Sequence, residues 1–192
     1  MSKHHHIATR NAFIGVLTLA VAVGTGLLVP PPAYAAVCHS VVVTIDFSGA
    51  SGPSSIPGTD GRDVILGGPF DDTIYGGGGD DIICGGRGTD TILGGNGNDV
   101  IHGDGTNSGA DANNNLYGEN ANDTIRGDQN NDVISGGRGD DNLYGGVGGD
   151  DTIVANDDGP LSRDHVDGEE NDAGAGDTCY FNGSDVMVNC EN

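Results

Sequence analysis

The residues with the clearest chemical potential are aspartates at a fixed spacing. Asp63, Asp72, Asp81, Asp90 and Asp99 recur every nine residues, Asn114 follows, and Asp123, Asp132, Asp141 and Asp151 resume the series. Each Asp up to Asp141 is sixth in a nine-residue unit such as GGNGNDVIH, residues 94–102, and Asp151 holds the matching place in a last unit one residue longer. If such units stack, their carboxylates line up in columns. Carboxylates a few ångströms apart repel strongly unless a cation lies between them. The glycines supply positive φ and turn backbone carbonyls inward. Carboxylate and carbonyl oxygens together make an all-oxygen shell that suits Ca²⁺ better than the stricter Mg²⁺. All nine aspartates are therefore candidate calcium ligands. Asp71, Asp80 and Asp140, one position earlier, read as outward and solvated.

The elements that position them follow from the same period. Residues 58–154 can be written as ten units, and a repeated unit must bury its apolar residue against its neighbours. The eighth position holds Ile65, Ile74, Ile83, Ile92, Ile101, Leu116, Ile125, Ile134, Leu143 and Ile153. That is the interior row, the middle residue of a short strand at positions seven to nine, with positions one to six as the turn. Two turn–strand units make one eighteen-residue coil of an all-β fold, a parallel β-roll (β-solenoid) of about five coils. Units two apart share a side, so Asp63, Asp81 and Asp99 form one column and Asp72 and Asp90 the other. Asp123 pairs with Asp141, and Asp132 with Asp151. The unit 103–117 is six residues too long and carries Asn114. It is expected to bind calcium weakly and to divide the columns into blocks at 58–102 and 118–154. Tyr75, Tyr117 and Tyr144 share position nine and read as ordinary strand-surface residues.

The flanks differ from the repeats. Residues 1–35 read as a signal peptide: basic Lys3 and Arg10, an apolar run, Pro30-Pro31-Pro32 and the A-x-A site Ala33-Tyr34-Ala35. A membrane anchor is the alternative, which the cleavage site and the Gly24 and Gly26 breaks disfavour. Residues 36–57 read as an N-terminal capping strand, alternating over 37–47, with a linker at 49–57. Residues 155–192 read as a C-terminal cap in which Asp164-His165-Val166 and Asp177-Thr178-Cys179 echo the repeat. The four cysteines suggest two disulfides in an oxidising setting, Cys179–Cys190 within the C-terminal cap and Cys38–Cys84 tying the N-terminal strand to the third unit; other pairings stay open.

Composition sets limits on partners. The chain has 36 glycines, 29 acidic and 7 basic residues, and a net charge of −22. Such a surface repels nucleic acid and anionic membranes and attracts cations. No His-Glu-x-x-His or Gly-x-Ser-x-Gly motif occurs, and His39, His102 and His165 read as isolated bystanders. The Ile/Leu row alone is small against the cost of ordering the chain, so calcium is expected to drive folding.

The block 58–154 resembles the haemolysin-type (RTX) calcium-binding repeat family, since the full nine-residue template recurs. The tail DTCYFNGSDVMVNCEN is similar to endings common in secreted actinobacterial proteins of this kind. The resemblance implies a parallel β-roll with Ca²⁺ between adjacent turns, held by the position-six aspartates and turn carbonyls. Catalytic domains in the family precede the repeats, and only residues 38–57 precede them here. The expectation is a secreted, non-enzymatic structural or adhesive module with a cell-surface or polysaccharide partner. The alternative is an accessory or polysaccharide-acting enzyme that uses calcium.

Overall fold

The computed structural model describes residues 37–38, 40–104, 112–155, 162–168 and 176–190. The expected signal at 1–35, His39, the middle of the insert and parts of the tail lie outside them. Strands alternate between two parallel sheets, as a coil of two strands per turn requires. One sheet contains β3 (Ile45–Asp46), β5 (Val64–Leu66), β7 (Ile82–Gly86), β9 (Val100–Asp104), β11 (Thr124–Gln129), β13 (Asn142–Val147), β15 (His165–Asp167) and β17 (Val186–Val188), stacked in that order. The other contains β4 (Ser55–Thr59), β6 (Thr73–Gly78), β8 (Thr91–Asn96), β10 (Asn115–Asn120), β12 (Val133–Arg138), β14 (Thr152–Val154) and β16 (Thr178–Tyr180). The architecture is the parallel β-roll that the period implies.

The interior row lies where the alternation puts it. All ten Ile/Leu residues at position eight are 0% exposed. In register they stack like on like: Ile65 beside Ile83 and Ile83 beside Ile101 in one sheet, Ile74 beside Ile92 and Ile92 beside Leu116 in the other. The strands are longer than three residues. Most continue through the glycine pair to position three of the next unit, as in Thr73–Gly78. Position one then also points inward, because it is two residues beyond position eight on a period-two strand.

Both flanks extend the stack, which is longer than five coils. The presumed linker holds β4, whose Ile56 is fully buried and pairs with Ile74. The tail supplies β15, β16 and β17, with Val166 and Cys179 continuing the interior row. Residues 37–47 are not one strand. β1 (Val37–Cys38) and β2 (Val41–Val42) form an antiparallel hairpin turning at Ser40, whose φ is 65°. Only β3 joins the roll, with Ile45 beside Ile65. Alternation cannot reveal this turn, because His39-Ser40 lacks the Asn or Gly that normally marks it. The hairpin covers the outer face of the first rungs. Cys38, Val64, Ile82 and Cys84 are buried there as a second small core, so Cys84 is not on an open surface. The structure contains the disulfides Cys38–Cys84 and Cys179–Cys190.

In most units beyond the first two the fourth position has a left-handed backbone. Gly97 and Gly139 have φ of 125° and 141°, and Ala121 is held at 82° between them in the stack. A Cβ there costs roughly 1–2 kcal/mol. Ala121→Gly is expected to stabilise the folded chain by about 1 kcal/mol net of the added unfolded-state entropy, read as a rise in thermal midpoint at fixed calcium.

Candidate metal centre

The aspartates form two continuous ladders inside the turns. In each step the amide of one Asp donates to Oδ1 of the Asp one coil later. Asp63 donates to Asp81 at 2.7 Å, Asp81 to Asp99 at 2.9 Å, Asp99 to Asp123 at 2.8 Å and Asp123 to Asp141 at 2.8 Å. On the other side Asp72 donates to Asp90 at 2.8 Å, Asp90 to Asn114 at 2.9 Å, Asn114 to Asp132 at 2.7 Å and Asp132 to Asp151 at 2.7 Å. The hydrogen-bonded ladder runs on through the unit expected to divide the calcium columns. Asn114 keeps the register: Asn115 is beside both Thr91 and Val133.

The two carboxylate oxygens do different things. Oδ1 carries the coil-to-coil hydrogen bond. Oδ2 of Asp81, Asp90, Asp99, Asp123 and Asp132 is buried with no hydrogen-bond partner. A buried anionic oxygen without a partner is costly, so five of them in register point to a ligand. Asp63 and Asp72, at the start of the ladders, differ. Oδ2 of Asp63 accepts from the Thr59 amide and hydroxyl, both at 2.8 Å, and Oδ2 of Asp72 accepts from the Gly68 amide at 2.9 Å. Asp141 and Asp151 occupy the same buried ladder positions further along. The ladders also continue into the tail: Asp141 donates to Asp164, Asp151 to Asp177 and Asp164 to Asp185. The D-x-U echo at Asp164 and Asp177 was visible in the sequence, but their place in the ladder depends on loops of irregular length. Asp71, Asp80 and Asp140 are exposed; each Oδ1 accepts the amide of the residue stacked next to it, Thr89, Asn98 and Arg163 respectively.

Position-one glycine makes room for this arrangement. A Cβ on Gly94 would collide with Asp99 Oδ2 and the Gly118 carbonyl; one on Gly118 would collide with Asp123 Oδ2 and the Gly136 carbonyl. The space a side chain would fill is thus faced by a carboxylate and a carbonyl oxygen. Among the described residues no three His, Cys, Asp or Glu side chains converge on one point. A shell here would combine single carboxylates with main-chain carbonyls, a hard donor set that fits Ca²⁺. When bound, the ion would neutralise the stacked carboxylates.

The electrostatics agree with the geometry. Burial pushes the Asp99 carboxyl up to about 7, Asp90 and Asp123 to about 8 and Asp132 to about 9. Asp81 is raised too, again chiefly by burial. Neighbouring ladder aspartates add to the rise, and the amide donated to each Oδ1 opposes it.

His102 and His165 are not isolated. His102 Nδ1 lies 3.4 Å from Asp128 Oδ2. The Arg126 guanidinium is 5.4 Å from the centroid of the Tyr144 ring, which meets His165 edge-on at 5.9 Å. These residues share the outer face of one sheet, on β9, β11, β13 and β15. Tyr75 and Tyr117 stand on the outer face of the other sheet, so the three position-nine tyrosines do not form one patch.

A parallel β-roll with internal columns of cation-seeking carboxylates defines a class of calcium-binding solenoids. The RTX calcium-binding nonapeptide repeat matches this chain four times, at residues 57–92, 85–107, 108–143 and 117–153, together about half of its length. The chain belongs to this family of calcium-binding β-roll proteins. A search of curated proteins found no match.

The raised carboxyls set a pH dependence. The folded, metal-free roll holds protons that the unfolded chain releases near 3.8. Their contribution to stability is fully present below that value and is lost as pH rises through about 7–9. With chelator present, the far-ultraviolet strand signal is expected to be stronger at pH 4 than at pH 8. Calcium should restore it at pH 8 and add little at pH 4.

Proposed function

We propose that the chain is an exported β-roll module that folds on binding Ca²⁺ and serves outside the cell as a structural or adhesive element, without catalysis. The observation that carries this reading is the set of buried Oδ2 atoms at Asp81, Asp90, Asp99, Asp123 and Asp132. The metal-free fold must either protonate these groups or bear their repulsion, whereas a bound cation removes both costs. A ligand held only by the native state stabilises that state. The two disulfides suit an oxidising, extracellular setting. The signal expected at 1–35 would supply the route.

Circular dichroism of the mature chain with calcium and then with excess chelator tests the reading. A strand-rich spectrum is expected at about 10⁻⁴–10⁻³ M calcium, the range of extracellular modules, and its loss on chelation. Asp99→Asn should raise the calcium needed for folding about tenfold, equivalent to roughly 1.4 kcal/mol. Asp63→Asn, whose Oδ2 already has donors in Thr59, should change it far less. A strand signal unaltered by chelation overturns the proposal.

A second reading is favoured by the Arg126–Tyr144–His165 stack, which presents cationic and aromatic groups on an otherwise acidic protein. That combination suits a carboxylated polysaccharide. Retardation in a polyuronate gel that is lost in Arg126→Ala, with no product released, is the outcome expected of an adhesive surface. Release of unsaturated sugar products would place the chain among calcium-dependent enzymes.

A further inference from the structure

The place where a calcium column should fail is the unit carrying Asn114. Its Oδ1 accepts the Asp90 amide at 2.9 Å, which fixes the orientation of the side-chain amide. Nδ2 therefore occupies the place held elsewhere by Oδ2, and a Cβ on Gly103 would meet it at 2.7 Å. An amide nitrogen donates and cannot hold a cation. The ladder continues through Asn114, but one ligand oxygen is missing.

Asp104 lies at this point. It is the second residue of the same unit, and nothing in the nonapeptide period marks it as important. In the units that follow, the side chains at position two reach outward: Glu119 is exposed and Asp128 half-buried, both with positive φ, 77° and 82°. Gly86, which pairs with Asp104 across the strands, has φ of 112°. Asp104 does not share this left-handed backbone and is only 3% exposed. Pairing between β9 and β11 ends at His102 beside Arg126, two residues short of Asp104. The chain thus leaves the regular coil and turns this carboxylate inward, where Asn114 Nδ2 donates to its Oδ1 at 3.3 Å. The charge of Asp104 is felt by Asp90 one coil before and by Asp132 one coil after, the two ladder residues on either side of Asn114. Both have a buried Oδ2 with no hydrogen-bond partner and are at most 1% exposed.

We infer that Asp104 replaces the carboxylate that Asn114 lacks, giving an out-of-register calcium site that carries one column unbroken across the insert. The alternative is that Asp104 only accepts the Asn114 amide. On that reading the fold would bury an extra anion close to two others with no cation between them, a costly arrangement. A cation reverses the balance, as it does along the rest of the column.

This inference rests on calcium binding by the ladder, and the test separates the two. Calcium stoichiometry of the mature chain is measured by titration calorimetry for wild type, Asp104→Asn, Asp104→Asn/Asn114→Asp and, as a control for charge loss, Asp60→Asn at an exposed turn. Asp104→Asn keeps the size of the side chain and is expected to bind one ion fewer than wild type. Moving the carboxylate back to position six in the double variant should restore that ion, and Asp60→Asn should bind the wild-type number. Equal stoichiometry and affinity in wild type and Asp104→Asn overturn the inference while leaving calcium binding by the ladder intact. Loss of the ion in Asp104→Asn without recovery in the double variant also counts against it, since a carboxylate at either position should serve. Absence of calcium binding by wild type overturns both readings.

Discussion

Translation along a roll stacks each residue on its own equivalent, at the strand spacing of about 4.8 Å. For the Ile/Leu row this is favourable, since identical apolar side chains fill the interior layer after layer. For Asp the same operation brings buried like charges together with nothing between them. One period therefore builds both the core and the repulsion, and neither can be had without the other. A cation lying between the stacked carboxylates would relieve that repulsion.

The ladder reconciles structure with charge by dividing the carboxylate. Oδ1 is used up in tying each coil to the one before, so the side chain is rigid without any ion. Oδ2 is left facing a carbonyl across a space kept open by glycine. Rigidity lowers the ordering cost of binding, and the missing Cβ keeps the inward space clear. At the start of the stack the same residue type is treated differently. Thr59 and Gly68 supply donors to Asp63 and Asp72, so those turns are closed by the protein itself. The hairpin β1–β2 and the Cys38–Cys84 bond cover the outer face at that end. At that end the ladder carboxylates have protein donors that Asp81, Asp90, Asp99, Asp123 and Asp132 lack.

The tail shows how the roll tolerates irregular spacing. Asp141 and Asp164 are 23 residues apart and Asp151 and Asp177 are 26 apart, against 18 for a regular coil, yet each pair makes the ladder bond at 2.9 Å. The strand that follows each longer spacing is in register all the same. Loop closure becomes only slowly more costly with length, whereas a slip in register would turn every interior residue outward.

Much of this was written in the local order of residues. A nine-residue period with Ile or Leu at its eighth position and Asp at its sixth determines strand, turn, inward face and charged column, because each depends only on neighbours within a unit or on exact repetition of it. Repetition says nothing where it stops. Spacing alone left residues 49–57 a linker and 155–192 a cap, but contact with the exposed end of the stack makes rungs of Ile56, Val166 and Cys179. Asn114 looked like a gap, and only the folded backbone turns Asp104, ten residues away and out of phase, toward it. The sequence by itself determined the repeating coil and its columns of carboxylates. The tertiary structure decided how far the coil extends, which Oδ2 atoms lack a donor and which side chain turns toward Asn114, because those depend on packing between segments that no fixed spacing relates.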